Sequence, residues 1–169
     1  MPCAAYHLVD FAAPDPEVEA DRFAALLQER PIDMLCQGIG TSGHLALNEP
    51  DDSDFDDPRW VRVVRLVEQS KRQLGDDPNF RDLGYIPDHG ITMTIPAMMS
   101  AESIYTIVPL ALKKPILTRL EQIETPTMSL PASIILDTPV LCSSTGIPVL
   151  TRGSRRHNGS ACVAREPLA

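Results

Sequence analysis

No stretch of 18 consecutive apolar residues occurs anywhere in the 169-residue chain, and its first residues, "MPCAAYHLVDFAAP", have neither a basic start nor a sustained apolar core. The sequence therefore reads as a soluble cytoplasmic protein with no membrane partner. Basic residues are in deficit, with 15 Lys and Arg against 23 Asp and Glu and a net charge of −8. That balance argues against a nucleic-acid surface, which needs excess cation to displace counterions. The four cysteines, Cys3, Cys36, Cys142 and Cys162, show no C-x-x-C or C-x-x-x-C spacing. Free thiols in a reducing compartment are the expectation. H-E-x-x-H and G-x-S-x-G are also missing, so neither a zinc protease helix nor a nucleophile elbow is encoded.

What is present alternates strand and helix. "YHLVDF" (6–11) reads as a strand. Asp15 can cap a helix and Pro16 suits its first position. Phe23, Leu26 and Leu27 then share a face, and Pro31 ends the helix. "IDMLCQ" (32–37) reads as a buried strand, completing a right-handed βαβ unit with a parallel sheet. "DDSDFDDP" is an acidic connection, and Trp60–Val67 a further strand. Ser70–Gly90 is polar and broken by Gly and Pro, hence loop with at most a short helix. "ITMTIP" and "SIYTIVP" read as strands joined by the small-residue stretch "AMMSAE". "LKKPILTRLEQI" has Ile116, Leu117, Leu120 and Ile123 at helical spacing. "PASIILDTP" and "VLCSSTGIPVL" close the packed part. The expected organisation is one α/β domain over 1–152 and a disordered tail over 153–169.

In such sheets ligands bind beyond the carboxyl ends of the strands, which is where "GIGTSGHLALNEP" falls. Gly38, Gly40 and Gly43 satisfy G-x-G-x-x-G, but Pro50 comes too soon for a dinucleotide-binding helix, and no Gly-Lys-Ser/Thr follows for a P-loop. His44 and Glu49 are better candidates. A carboxylate that fixes the tautomer of an imidazole makes a proton-transfer pair near neutral pH, although a histidine after a glycine turn is more often only a hydrogen-bonded loop residue. Asp52, Asp54 and Asp56 have the spacing of a calcium loop. Asp57 and Val63 stand at its sixth and twelfth positions in place of Gly and Glu, so a solvated acidic loop is expected and no metal. Lys71, Arg72, Lys113 and Lys114 are candidate anion ligands. Lys113 is best placed among them, near a helix start. His7, His89 and His157 are isolated.

The loop "GIGTSGHLALNEP" resembles the active-site loop of the glucosamine-6-phosphate deaminase (isomerase) family, whose form is close to Gly-Ile/Val-Gly-x-Asp/Asn-Gly-His-Ile/Leu-Ala-Phe-Asn-Glu-Pro. "DDSDFDDPRWVRVVRLVEQSKRQ", "YIPDHGITMTIPAMMSAESIYTIVP" and "PASIILDTP" resemble later segments of that family in order, so the likeness runs from about Tyr6 to about Val149. It implies a Rossmann-like α/β fold with a mostly parallel sheet flanked by helices, shared with 6-phosphogluconolactonase. It also implies aldose–ketose isomerisation and deamination of a hexosamine 6-phosphate, with no metal or organic cofactor. Carried over position by position, His44 is the ring-opening histidine and Glu49 its carboxylate. Gly40, Ser42 and Gly43 line the sugar, Lys113 binds phosphate, and Arg72 stands where a phosphate arginine is kept.

The departures are Ser42 where deaminases have Asp, Leu110 for a Gly before the phosphate lysine, and Thr138 for a His. The family also has a long preceding segment, with a phosphate loop and the aspartate that moves a proton between C2 and C1. That segment has no counterpart in this sequence, so an N-terminal part of the fold is expected to be missing. Three readings follow: a truncated or divergent isomerase/deaminase, a lactonase-like hydrolase, or a non-catalytic sugar-phosphate-binding module. Homo-oligomerisation is left open.

Overall fold

The computed structural model describes residues 4–76, 80, 84–108, 111–137 and 149–150. Leu110, Thr138, Cys3, Cys142, Cys162, His157 and the expected tail lie outside them, as does most of "VLCSSTGIPVL". The elements in order are α1 (Pro16–Gln28), β1 (Met34–Gln37), β2 (Val61–Arg65), α2 (Glu68–Asp76), β3 (His89–Met93), α3 (Ile95–Met99), β4 (Ser103–Ile107), a 3-10 turn (Ala111–Lys113), α4 (Lys114–Glu121), a longer 3-10 segment (Pro131–Asp137) and β5 (Val149–Leu150).

The protein is α/β, as expected. β1 and β4 pair in parallel, with Met34 opposite Ser103 and Gln37 opposite Thr106. β5 joins the far edge of β4 antiparallel, and β2 and β3 form a separate antiparallel pair. Helix α1 starts as its sequence dictates, with the Asp15 side chain accepting from Glu17 N–H and Pro16 in the first turn. It packs against β2 and β3. The core joins Ile39 and Leu45 to Met98, Val108, Ile116, Leu120, Leu130, Ala132 and Ile135.

Three local expectations are corrected. Tyr6–Phe11 is not a strand. Among the described residues no strand lies beside it, and its apolar side chains Tyr6, Leu8 and Phe11 are exposed. The segment is instead tied to α1, where Glu19 accepts from Asp10 N–H at 2.6 Å and Arg22 donates to the Leu8 carbonyl at 3.0 Å. The second strand, β1, is not buried. Met34 and Cys36 face solvent because, among the described residues, β4 is its only neighbour.

The short helix allowed within Ser70–Gly90 is α2, which starts at Glu68 and takes in Ser70–Asp76. This helix is polar nearly throughout, and its docking comes from hydrogen bonds. Finally, "IPAMM" is a helix. Thr94 caps it by accepting from Ala97 N–H, and Pro96 sits in the first turn. Those start signals lie inside "ITMTIP", whose apolar alternation resembles a strand up to its proline.

Candidate active site

The segment from Gly38 to Pro50 leaves the carboxyl end of β1 as a knotted loop anchored in the core. Ile39 and Leu45 insert into the core, and Leu45 is fully buried. Burial of a leucine is worth roughly 1.5–3 kcal/mol, enough to hold a loop that has little regular structure of its own. Gly40 N–H donates to the His44 carbonyl at 2.9 Å, and Gly43 N–H to the Gly40 carbonyl at 3.0 Å. From outside, Ala132 N–H donates to the Gly43 carbonyl at 2.8 Å.

Both central glycines are required by space. A β-carbon on Gly40 would lie 2.0 Å from His44 Nε2. One on Gly43, whose φ is +90°, would lie 2.2 Å from Leu130 Cδ1. The glycines therefore make room for a histidine and a core leucine.

Asn48 fixes the second half of the loop. Its amide nitrogen donates to the Leu45 and Met93 carbonyls, each at 2.9 Å, and its oxygen accepts from Arg62 at 3.4 Å. Arg62 is itself buried. It lies 3.2 Å from the Asp52 carboxylate and 3.7 Å from that of Asp57, and it also donates to the Asp52 carbonyl. The acidic run is solvent-exposed at Asp52, Asp54 and Asp56, as expected, but not at its end. Asp57 is buried, and the run wraps an arginine that the chain supplies from β2. Among the described residues no group of three or more His, Cys, Asp and Glu could hold a metal.

These anchors bring His44, Glu49 and Ser42 together. His44 Nδ1 is 2.9 Å from Glu49 Oε1 and 2.8 Å from Ser42 Oγ. Ser42 Oγ donates to Glu49 Oε2 at 2.7 Å, and Ser70 Oγ, from the first turn of α2, donates to Oε1 at 2.5 Å. A serine hydroxyl has one proton. Since that of Ser42 goes to the carboxylate, the hydrogen between Ser42, Glu49 and the imidazole belongs to Nδ1. The neutral ring then carries its lone pair on Nε2, which is the arrangement a general base requires. Glu49 is 8% exposed. Burial pushes its carboxyl up, but hydrogen bonds from His44, Ser70 and Ser42, with the charge of His44, outweigh burial and hold it at about 2.

The basic candidates separate. Lys113 precedes α4 and is half-buried without a hydrogen-bond or ion-pair partner among the described residues, and burial pushes its ammonium down. One turn later, Ile116 packs beside Gly43, so this helix start abuts the loop. Arg72 is exposed on α2, whose inward residues toward the loop are Gln69, Ser70 and Gln73. Lys71 is engaged with Asp88 at 2.6 Å. Ser70 and Thr41, which accepts from Gln69 and Gln73, carry no sequence signal beyond a polar side chain, whereas Asn48 stands in the Asn-Glu-Pro end of the loop motif. A cleft of about 350 Å³ opens beside β1 between Leu35, Leu47, Ile91 and Met98. His44 and Glu49 do not line it.

Fold and site together define an α/β protein with a histidine–glutamate loop at the carboxyl end of a parallel strand pair. A solved monomeric glucosamine-6-phosphate deaminase superposes on 75% of the chain with a TM-score of 0.66 and 26% identity, over 51% of its own length. The devB protein shares the fold, with a TM-score of 0.54 and 21% identity over 69% of the chain and 45% of its own. No family model matches. In sequence, the glucosamine-6-phosphate deaminase of Lysinibacillus sphaericus is 32% identical over 150 residues, covering 88% of this chain and 64% of the relative. That of Exiguobacterium sp. is 28% identical over 135 residues, covering 80% and 51%. The chain is similar in sequence and fold to glucosamine-6-phosphate deaminases, and it spans about half to two thirds of the length of these curated relatives.

Proposed function

We propose that this chain carries the sugar-ring half of a hexosamine-6-phosphate isomerase/deaminase site. His44 acts as the ring-opening acid and base, with Glu49 and Ser42 holding its tautomer, and Lys113 receives the phosphate. The observation that carries this reading is the contact of His44 Nδ1 with the buried Glu49 carboxylate at 2.9 Å, which leaves Nε2 as the free base.

In the reaction, Nε2 takes the anomeric hydroxyl proton as the ring opens and returns a proton to the ring oxygen. The proton shift between C2 and C1 needs a second base, and the described residues contain no carboxylate in contact with this group besides Glu49. Aldose–ketose isomerisation and ammonia release therefore belong to the family activity toward which this half-site contributes. No metal or organic cofactor takes part in this scheme. Gly40 and Gly43 shape the wall of the sugar site, while exposed Arg72 is a secondary phosphate contact. The acidic balance of the chain, −8 overall, supports a small-molecule substrate rather than nucleic acid, and the metabolic role fits a cytoplasmic location.

The test is incubation of the chain with glucosamine 6-phosphate, following ammonia and ketose phosphate. Turnover that is lost in His44→Gln supports the reading, and absence of both products overturns it as an activity. The second reading is a non-catalytic sugar-phosphate-binding module. It is favoured by the half-length match and by a neutral Ser42 beside the histidine, and calorimetric binding without turnover would support it.

A further inference from the structure

The Glu49 carboxylate sits on a side-chain torsion that has no strong preference of its own, because rotation about an sp³–sp² bond is broad. Its orientation is therefore set by the donors around it. Ser42 holds Oε2 from within the loop at 2.7 Å, which leaves Oε1, the oxygen that meets the ring, to be fixed by another donor. The independent donor is Ser70, 6% exposed on α2 and 21 residues away in sequence, whose hydroxyl lies 2.5 Å from Oε1. This is the oxygen that faces His44 Nδ1 at 2.9 Å. The two neighbouring side chains of the same helix, Gln69 and Gln73, both donate to Thr41 Oγ1, next to Ser42. The helix thus grips the loop at two points around the histidine.

We infer that Ser70 is a positioning residue for His44: by anchoring Glu49 Oε1 from α2 it holds the imidazole in the Nδ1–H tautomer with Nε2 unprotonated. Ser70 lies outside the loop motif, on a helix that begins 18 residues after Pro50. The inference rests on the proposed role of His44 only for its kinetic consequence, because the tautomer is a property of the resting protein.

The experiment uses the chain labelled with ¹⁵N-histidine, with Ser70→Ala, Ser70→Thr and Ser70→Cys variants, observed at a pH where the ring is neutral. The wild type and Ser70→Thr are expected to show only the Nδ1–H pattern for His44. Ser70→Ala and Ser70→Cys, which lose the strong donor, are expected to show a mixture containing the Nε2–H form. The cysteine variant keeps the volume, so it decides the matter if the alanine variant fails to fold. Where turnover is measurable, kcat falls about ten-fold in Ser70→Cys, as for loss of one hydrogen bond to a charged group, with KM unchanged and recovery in Ser70→Thr. An unchanged Nδ1–H pattern in Ser70→Cys, or an Nε2–H pattern in the wild type, would overturn the inference. The spectra decide it without turnover, so a chain that is inactive on glucosamine 6-phosphate removes the proposed activity and leaves this inference standing or falling by itself.

Discussion

The imidazole of His44 occupies the space into which a side chain at Gly40 would grow, with Nε2 2.0 Å from the position of a Gly40 β-carbon. One residue is glycine so that the other can be a correctly seated histidine. The first prediction is that Gly40→Ala forces the ring out of its pocket. Turnover should fall at least about 100-fold, as for a misplaced catalytic group, while stability drops by about 1–3 kcal/mol from overpacking. Activity assays and thermal denaturation on one preparation check both. A Gly40→Ala chain with wild-type kcat would contradict the stacking.

Two other glycines share left-handed backbone but not surroundings. Gly43 has φ +90° and would drive a β-carbon to 2.2 Å from Leu130 Cδ1, whereas Gly84 has φ +69° and nothing within 4 Å. Gly84→Ala should cost only the backbone term, about 1–2 kcal/mol. Gly43→Ala should cost that and about 1–3 kcal/mol more for displacing a core leucine. Urea unfolding of the pair measures the difference, and equal losses would refute the packing term.

The carboxyl of Glu49 is held at about 2, against an ordinary value of 4.5. Its folded pKa is depressed, so the stability it contributes is fully present above the unfolded value. That stability drains away as pH falls from about 4.5 toward about 2. Glu49→Gln should therefore lose stability at neutral pH, by up to about 3 kcal/mol, and unfold with a shallower dependence on acid in that window. Denaturation midpoints measured from pH 6 downward test the slope, and parallel curves for the two proteins would count against it.

Arg62 is buried between Asp52, Asp57 and the Asn48 amide. Arg62→Met should destabilise by less than the about 3–5 kcal/mol of a fully stranded charge, because the buried Asp57 carboxylate keeps the Arg59 N–H at 2.9 Å and the Arg59 side chain at 3.7 Å. Adding Asp57→Asn should recover part of that loss, so the double variant is less destabilised than the sum of the singles. Simple additivity in a denaturant cycle would show that the two do not interact.

Lys113 is half-buried, without a partner among the described residues, at a helix start that abuts the loop. Lys113→Met should weaken binding of inorganic phosphate or glucosamine 6-phosphate about ten-fold, the worth of one charge-assisted contact. Arg72→Met, on an exposed helix face, should change it much less. Calorimetric titrations rank the two, and a larger effect at Arg72 would reassign the phosphate.

Much of this protein was written locally. Asp15 and Pro16 started α1 as their chemistry requires, the apolar alternation of Val61–Arg65 and Ser103–Ile107 made strands, and Ile116 and Leu120 turned one face of α4 inward. The loop also declared itself: a glycine turn, a histidine and a glutamate five residues later are close enough in sequence to meet whatever the rest of the chain does. Where interactions span only a few residues, sequence suffices.

Tertiary structure decided the rest, because the deciding partners are far apart along the chain. Tyr6–Phe11 has the composition of a strand but, among the described residues, no strand beside it, and a lone strand leaves its backbone hydrogen bonds to water. Helix α2 is too polar to be found by periodicity and exists through Ser70, Gln69 and Gln73 gripping a loop some twenty to thirty residues earlier. Asp57 looked like solvated charge until Arg62 came across from β2 to meet it. The sequence by itself determined which residues could move a proton. Which donors surround the Glu49 carboxylate was decided only by folding, which brought Ser70 Oγ to within 2.5 Å of Oε1 across 21 residues of sequence.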